Sequence, residues 1–557
     1  MIDAIMLSAT TRRLLIWMLP ILGLGALLRL IGIGHGLPFA MMGGEDVLIG
    51  AGLRMAETGE LLPSLGERVA AMLDGPVLLP WLYLLLALPV LGLAWLWNGF
   101  PGGVGIDWMV LANLDSVFVV ARLTSIAFSL ATVVLVALVA RRLFGDRLAG
   151  IAAGLLMATS WLSVALAHSA DRWSALTFFV WLTIYIATRY ASRPGPRRAM
   201  LLGLAAGLGF GTGILGGVGL LAGLAVHLSR YRRKALNRNL AWMLAPAVLL
   251  GALFAAAHWP EQGGAGDVLA TAGRFIAVAW WAEPVLLAGG LLSLALLLRR
   301  HARLVGLLLA GAALWIVLAA LIGLDEDRAL LPLLPLLALA AGGGVLWLAE
   351  HLPLRLIWPG AVAGALALLY PLVTAGWFSL LLASSDTREL AATWLDDNLA
   401  PGSAVVIDLD PVTVPATLDG LLDQELYLPD SLDTRMRLAL ETGWPESTPP
   451  GLRALHVNRA APDAVEGDAG RALFAELHAA GYSVFAIALR DDATPSGLQR
   501  AVLADYDRLA LFLTSDADAA PHAPDLTTSA LVDGPVWRLF RLERLGRSVL
   551  IARVGGD

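Results

Sequence analysis

The sequence predicts a polytopic α-helical membrane domain of about 11 spans, followed by a small α/β domain. Three observations lead to this fold class. The chain of 557 residues is 58% hydrophobic and 15% charged, whereas soluble domains are about half apolar and about a quarter charged. Apolar runs of spanning length recur as far as residue 383. Beyond that point the runs become shorter and Asp, Pro and Thr become more frequent, so the domain boundary is predicted at residues 383–384.

The first apolar run, residues 14–33, is long enough to cross a bilayer and follows Arg12 and Arg13. It is longer than the apolar core of a cleaved signal peptide, so we predict a retained signal anchor. Arginines are enriched at the cytoplasmic ends of spans, which puts the N-terminus in the cytoplasm. Residues 34–75 then form an acidic first outer loop.

Residues 76–97 are apolar and rich in tryptophan, and by length they could also span. The next run, 117–140, ends in Arg141 and Arg142, which indicate the cytoplasmic side. If both runs spanned, these arginines would face outward. We therefore predict that residues 76–97 form an interfacial or re-entrant helix on the outer face.

Later apolar runs alternate in direction across the membrane. They are residues 148–167, 173–190, 201–211, 214–227, 241–257, 277–298, 304–324, 330–349 and 356–383. Loops on one side carry the arginine clusters, and loops on the other side carry most of the acids. The C-terminal domain, residues 384–557, is therefore predicted to be extracytoplasmic.

Within the C-terminal domain, strand-like and helix-like segments alternate, which is typical of an α/β domain. Asp386 with Glu389 predicts a helix start, and residues 405–407 predict a buried strand. Helices are predicted at 471–480 and 498–512, and strands at 482–489, 537–542 and 549–554. The pattern does not assign residues 413–468.

Several function classes have little support. The chain has no cysteine, which excludes thiolate metal sites. It has no glycine-rich phosphate loop and no basic–aromatic pattern, which argues against nucleotide and nucleic-acid binding. The histidines show no metal-ligand spacing. Clustered acids leave a divalent metal possible.

Polar residues of the predicted outer loops form the candidate site. Glu45 and Asp46 are candidate catalytic carboxylates because they are adjacent and follow Gly43 and Gly44, which permit close approach of the backbone to a ligand. The candidate substrate-binding residues are His168, Asp171, Arg172 and Arg328. An arginine fork can hold phosphate oxygens, and a carboxylate can accept a proton from an attacking hydroxyl.

Other interpretations of these residues remain open. Residues 325–328 are Asp-Glu-Asp-Arg, which is more typical of a solvated turn than of a binding site. Arg122 and Arg172 have the long side chains that reach from a span toward the interface. His168 is also compatible with an interface position.

Short motifs spread along the chain resemble one family. They are the segment Gly-Leu-Arg-Met-Ala-Glu-Thr-Gly-Glu-Leu-Leu-Pro at 52–63, Ala-Arg-Leu at 121–123, Ala-Arg-Arg-Leu-Phe-Gly at 140–145, His168 ahead of Thr-Phe-Phe at 177–179, Arg-Ala-Leu-Leu-Pro-Leu-Leu-Pro at 328–335, and the opening of the C-terminal domain at 386–403. Together they resemble the integral-membrane glycosyltransferases of the GT-C fold. The branch that they resemble contains protein O-mannosyltransferases and lipid A aminoarabinose transferases.

The resemblance implies a multi-pass enzyme of the bacterial inner membrane with its site on the outer face. Such an enzyme moves a sugar from a polyprenyl-phosphate donor to a protein, lipid or glycan acceptor. An acid of the first outer loop would serve as the base. The implied partners are the donor lipid, membrane lipids, the acceptor and a possible membrane protein, and no nucleic acid.

The chain departs from the family pattern at the acids. An ungapped comparison of residues 55–63 puts Gly44 where the family has its catalytic Asp, with Glu45 at the following Glu and Asp46 one place late. Asp171 stands two places before the second expected acid, at Trp173. A lysine expected near residues 212–213 is absent. A catalytically degenerate membrane subunit that binds lipid or a partner is therefore the alternative, with a transporter as a third hypothesis.

Overall fold

The structure is a computed structural model and describes residues 9–37, 42, 44–60, 77–97, 114–234, 236–257, 266–324, 326–409, 412, 414, 416–432, 436–437, 440, 451–457, 462–489, 495–514 and 534–555. These residues form a helical bundle up to residue 382 and an α/β domain beyond it. The predicted two-part fold class is confirmed.

The described part of the bundle contains the following helices in chain order. They are α1 (Ala9–Leu30), α2 (Glu45–Thr58), α3 (Leu78–Trp97), α4 (Leu114–Phe144), α5 (Arg147–Thr159), α6 (Trp161–Ala167), α7 (Arg172–Ser192), α8 (Pro196–Phe210), α9 (Gly219–Tyr231), α10 (Arg238–Ala257), α11 (Val268–Ala282), α12 (Pro284–Leu321), α13 (Leu334–His351) and α14 (Leu354–Leu382). Short 3-10 helices lie at Ile214–Val218, Arg232–Lys234 and Asp327–Leu333.

The centre of the bundle is an apolar core in which α4, α5, α7 and α13 pack together. Three large side chains, Trp161, Trp173 and Trp181, are each 1% exposed. Trp181 Nε1 donates a hydrogen bond to the carbonyl of Pro332 at 3.2 Å, which satisfies its polar atom inside the apolar core. This core fixes the end of α7 that carries the candidate site.

The chain is a multi-pass membrane protein. In the described parts of the chain, six helices are long and apolar enough to cross a membrane, and two bent helix pairs raise the number to eight. The bends measure 57° between α5 and α6 and 115° between α11 and α12. They replace the straight spans predicted at 148–167 and 277–298. The first break lies at Ser160 in an otherwise apolar run, whereas the second coincides with Glu283 and Pro284. The predicted 11 spans also include α1, α7 and α8, which are not among these eight.

The predicted interfacial segment forms α3, which packs against α2 and α4. Tyr83 of α3 donates a hydrogen bond to the carbonyl of Ala170 at 2.9 Å and so connects α3 to the start of α7. The interfacial position of α3 stays a prediction, as do the domain limits proposed from the sequence.

The C-terminal domain is built on one mixed sheet. Its strands are β1 (Ala404–Asp408), β2 (Arg453–His456), β3 (Val484–Leu489), β4 (Asp507–Phe512) and β5 (Ser548–Arg553), in the spatial order β2-β1-β3-β5-β4. β1, β2 and β3 are parallel, and β5 pairs antiparallel with both β3 and β4. Its helices are α15 (Thr387–Asn398), α16 (Leu418–Tyr427), α17 (Gly467–Ala479) and α18 (Gly497–Ala504), with short helical turns at Pro429–Ser431, Pro462–Val465 and Val536–Arg541.

Two predictions for this domain are wrong. Residues 498–512 form α18 and then β4, because β4 pairs with a strand far along the chain. Residues 537–542, predicted as a strand, lie mostly in the 3-10 helix Val536–Arg541. Their apolar residues recur every three positions, which fits the three residues per turn of a 3-10 helix rather than the period of two in a strand.

Candidate functional site

One end of the bundle gathers charged residues that the sequence singled out. Glu45 is the first residue of α2 and faces Arg122 of α4. Asp171 caps the N-terminus of α7 and faces Arg328, which follows α12 in the chain. Because the α2 start lies against the α7 start, these two ion pairs are neighbours.

The Glu45–Arg122 pair is fully buried, with both residues 0% exposed. Arg122 Nε donates to Glu45 Oε2 at 2.9 Å and Nη2 donates to Oε1 at 2.6 Å. Arg122 Nη1 donates to the carbonyls of Ile33 and His35 at 2.6 and 2.9 Å. A two-pronged guanidinium–carboxylate contact of this kind fixes geometry strongly. Glu45 therefore attaches α2 to α4, and a catalytic role would require it to leave this pair.

Asp171 lies directly against the backbone at the start of α2. Gly44 has φ +84°, and a Cβ placed on it would meet the Asp171 carboxylate carbon at 3.3 Å. Asp171 Oδ1 accepts the backbone N–H of Arg172 at 2.6 Å, and Oδ2 accepts from Arg328 Nη1 at 2.9 Å. A carboxylate at a helix N-terminus is also favoured by the helix dipole. Glycine at position 44 thus leaves room for the carboxylate of Asp171.

Residues 326–328 clamp three positions of the bundle with three successive side chains. Glu326 accepts a hydrogen bond from Arg172 at 3.2 Å, and Asp327 accepts one from Arg274 of α11 at 3.0 Å. Arg328 makes the contact with Asp171 described above. Asp327 and Arg328 are only 2% and 6% exposed, so the solvated-turn interpretation is wrong for these two residues.

The side chains of these ion pairs differ in how exposed they are. The side chains of Glu45 and Arg122 are 0% exposed, whereas those of Arg172 and Glu326 are 23% and 28% exposed. An open ion pair contributes little stability, so its partners exchange readily with solvent or with a charged ligand. The arginines of these pairs that an anion can reach are therefore Arg172 and Arg274, whose side chains are 23% and 35% exposed.

His168 is buried beside this cluster and contacts backbone rather than charged side chains. Its Nδ1 lies 2.9 Å from the carbonyl of Val164, and its Nε2 lies 2.9 Å from the carbonyl of Ile31. A neutral imidazole can donate to only one of these two carbonyls. His168 connects α6 to the end of α1, and its predicted substrate contact stays a prediction. Asp46 follows Glu45 in α2, and its side chain lies outside the described residues.

A second buried group joins this end of the bundle to the C-terminal domain. His35 Nδ1 contacts the carbonyl of Leu382 at 3.0 Å, and its Nε2 lies 3.9 Å from Asp386 Oδ2. Asp386 in turn accepts from Arg388 Nε at 2.9 Å. Burial lowers the pKa of His35 to about 4, although the nearby carboxylate of Asp386 opposes this. His35 is therefore neutral near pH 7.

Sequence reasoning missed three charged residues within apolar helices. Arg274 belongs to the clamp described above. Arg29 is 0% exposed and donates to Ser129 Oγ at 3.0 Å and to the carbonyl of Ala158 at 2.9 Å. Glu283 lies at the sharp bend and accepts the backbone N–H of Leu162 at 2.9 Å. A lone charge inside an apolar run is the signal that could have identified all three.

Arg29 and Glu283 lie on opposite sides of the break between α5 and α6. Arg29 contacts one of the last carbonyls of α5, and Glu283 contacts a backbone N–H in the first turn of α6. These signs complement the two helix dipoles, so both charges stabilise the bend.

Metal ligands do not cluster in the described ranges, where no three His, Asp or Glu side chains are grouped to hold an ion. The ion-paired acids already accept hydrogen bonds from arginines, which oppose a cation. A divalent metal remains an expectation from the sequence only.

Residues 104–259 match the family model described as dolichyl-phosphate-mannose-protein mannosyltransferase. This segment is somewhat more than a quarter of the chain. It contains Arg122, Asp171 and Arg172, whereas Glu45 and Arg328 lie outside it. The predicted resemblance to membrane glycosyltransferases is confirmed over this segment. No curated protein sequence matches the chain.

Solved structures show similarity at low identity. ArnT from Cupriavidus metallidurans bound to undecaprenyl phosphate has a TM-score of 0.46 and 13% identity, over 97% of this chain and 99% of that chain. The oligosaccharyltransferase of Archaeoglobus fulgidus, in complex with zinc and sulfate, has a TM-score of 0.43 and 12% identity, over 85% and 68%. The mycobacterial arabinofuranosyltransferase AftD has 0.41 and 19%, over 96% and 40%. At these values no residue role transfers from those proteins to this chain.

Proposed function

We propose that the chain is a membrane glycosyltransferase that moves a sugar from a polyprenyl-phosphate donor to a protein, lipid or glycan acceptor on the extracytoplasmic side of a bacterial inner membrane. One observation carries the proposal. Asp171 and Arg328 form a nearly buried pair beside the partly exposed Arg172–Glu326 pair, at one end of a membrane bundle. This arrangement offers a carboxylate and two arginines to a lipid-linked anion.

In the proposed reaction, the acceptor hydroxyl oxygen attacks the anomeric carbon of the sugar. The bond between that carbon and the phosphate oxygen breaks, and the lipid phosphate leaves with the electron pair. Arg172 and Arg328 hold the phosphate oxygens. A carboxylate accepts the hydroxyl proton.

Asp171 and Asp46 are the candidate proton acceptors. Asp171 is a candidate because its carboxylate contacts the Arg328 guanidinium and caps the helix that begins at Arg172. Asp46 stands in the first-loop acid pair that the resemblance associates with the base. Glu45 is the other catalytic candidate predicted from the sequence, and its pairing with Arg122 favours a role in holding α2 instead.

The lipid chain needs an apolar path into the bundle. A half-open groove of about 310 Å³ lies between α8, the 3-10 helix Ile214–Val218 and α12. Its lining is almost entirely apolar and includes Leu318 and Ile322. Both residues lie near the end of α12, shortly before the 326–328 clamp. The groove therefore supports a donor whose chain enters from the membrane.

The test is a transfer assay with purified full-length protein in lipid nanodiscs and several labelled polyprenyl-phosphate sugars. We expect transfer by the wild type and a loss of about 100-fold or more in kcat when the proton acceptor is removed. Comparison of Asp171→Asn with Asp46→Asn identifies that acceptor. Arg471→Gln, on an exposed helix of the C-terminal domain, is the control. Equal turnover by the wild type and both carboxylate variants would contradict the proposed chemistry.

A non-catalytic lipid-binding membrane subunit is the second candidate. It is favoured because the Glu45 carboxylate is already paired with Arg122. It is also favoured because glycine stands at position 44, where the resembled family has its catalytic Asp. If the chain is such a subunit, donor lipid should bind without turnover. A stoichiometric partner should also co-purify with the chain in native purifications. Transfer by the isolated chain would exclude it.

A further inference from the structure

A short segment of the C-terminal domain has a three-residue repeat that the proposed function does not use. Residues 536–547 read Val-Trp-Arg-Leu-Phe-Arg-Leu-Glu-Arg-Leu-Gly-Arg. We call these residues the arm. The arm begins with the 3-10 helix Val536–Arg541, in which residues three apart share a face. The repeat therefore creates separate apolar, aromatic and basic rows.

The apolar row attaches the arm to the membrane domain. Val536, Leu539, Leu542 and Leu545 are each at most 4% exposed and belong to the core of the bundle. The carbonyl of Leu539 accepts a hydrogen bond from Trp377 Nε1 of α14 at 2.8 Å. The arm therefore lies along the last membrane helix.

Trp377 sets the level of the arm along that helix. It lies five residues before Leu382, where α14 ends next to the C-terminal domain. At 1.5 Å per residue this is about 7.5 Å from the helix end. A position so close to the end of a spanning helix corresponds to the interfacial region of a bilayer.

The aromatic row continues the lipid-facing surface of α14. Val373 and Leu380 are 44% and 56% exposed and share a helix face with Trp377. The ring of Trp377 lies 6.2 Å from that of Phe540, centroid to centroid. Phe540 and Trp537 are themselves 42% and 45% exposed. The exposed apolar surface thus passes without interruption from the span to the arm.

The basic row adjoins the aromatic row. Arg538 and Arg541 are exposed, and the Arg541 guanidinium lies 5.4 Å from the centre of the Trp537 ring. The arm contains four arginines and one glutamate. Aromatic rings at the headgroup level, flanked by arginines, are typical of segments that lie in a membrane interface.

We infer that the arm is an interfacial anchor that seats the C-terminal domain on the bilayer. Its ligands are anionic phospholipids of the leaflet on that side. Trp537 and Phe540 lie at the boundary between headgroups and acyl chains, and Arg538 and Arg541 bind headgroup phosphates through their guanidinium forks. The inference does not depend on transferase activity.

The first test measures where the aromatic row lies. The chain has no cysteine, so a single spin label can be placed by Phe540→Cys in the full-length protein in phospholipid vesicles. Leu369→Cys on α14 is the lipid-exposed reference, and Leu426→Cys on α16 is the aqueous reference, with side chains 50% and 72% exposed. We expect the label at 540 to be more accessible to oxygen than to a water-soluble nickel complex, as at 369. Accessibility equal to that at 426, or protection from both reagents by a second protein surface, would overturn the inference.

The second test measures lipid selectivity. The relative association of spin-labelled phosphatidylglycerol over phosphatidylcholine is compared between the wild type and Arg538→Gln/Arg541→Gln. We expect selectivity to fall by up to about fivefold per arginine at low salt. Arg471→Gln/Arg500→Gln, two exposed arginines of α17 and α18, is the matched control and should leave selectivity unchanged. Unchanged selectivity in the arm variant, or an equal fall in the control, would contradict the phosphate contacts.

Discussion

Replacing Glu45 with Gln tests whether this acid is a structural partner of Arg122. The change keeps the side-chain shape but leaves a guanidinium that is 0% exposed without its carboxylate. Removing one partner of a buried ion pair costs about 3–5 kcal/mol. In a chain of this size each kcal/mol shifts Tm by about 1–2 °C. We therefore expect Glu45→Gln to lower Tm by about 3–10 °C.

The assay is thermal unfolding of purified protein in detergent, followed by tryptophan fluorescence. Glu326→Gln breaks a partly exposed pair and serves as the control, with an expected change in Tm of no more than about 1 °C. The double variant Glu45→Gln/Arg122→Gln should lose less than the sum of the two single losses, because no buried charge is left alone. A Glu45→Gln protein that melts at the same temperature as the wild type, or additive losses in the double variant, would contradict the structural pairing of Glu45 with Arg122.

Three further predictions follow from the same contacts. Gly44→Ala should lower the free energy of unfolding by about 1–2 kcal/mol, because position 44 has φ +84° and its Cβ would lie 3.3 Å from Asp171. Its Tm should be lower than that of Gly50→Ala in α2, and equal Tm values would contradict this. The pKa of His35 is about 4 in the folded protein, below its usual 6.5. Its contribution to the free energy of unfolding is therefore complete above pH 6.5 and decreases as the pH falls toward 4. His35→Asn should remove about 3 kcal/mol of this acid sensitivity in unfolding measurements, and parallel pH curves would exclude the assignment. Arg172→Gln should raise the KM for the donor severalfold with little change in kcat, and an unchanged KM would argue against its phosphate contact.

The sequence was informative wherever a local pattern decides the structure. Apolar run length identified α4, α7 and α14, and capping chemistry identified the start of α15 at Asp386. It failed at the two helix breaks. The break at Ser160 has no charge or proline in the sequence to mark it, and it depends on a contact with the distant Glu283. The second break is marked by Glu283 and Pro284, which the predicted straight span ignored.

The same limit applies to the site. Positive-inside reasoning put Glu45, Asp171 and Arg328 on one side of the membrane, and the structure brings them together at one end of the bundle. Their partners could not be predicted, because Arg122 is 77 residues from Glu45 and Arg328 is 157 residues from Asp171. Pairing over such separations depends on how whole helices pack.

The most direct measurement of the proposed activity is the simultaneous count of both products. Purified full-length protein in nanodiscs is supplied with a doubly labelled polyprenyl-phosphate sugar, and transferred sugar and released lipid phosphate are quantified together. We expect equal amounts of the two products from the wild type and a large loss of both with Arg172→Gln/Arg328→Gln. Donor lipid that binds but yields neither product, across the donors tested, would contradict transfer by this chain.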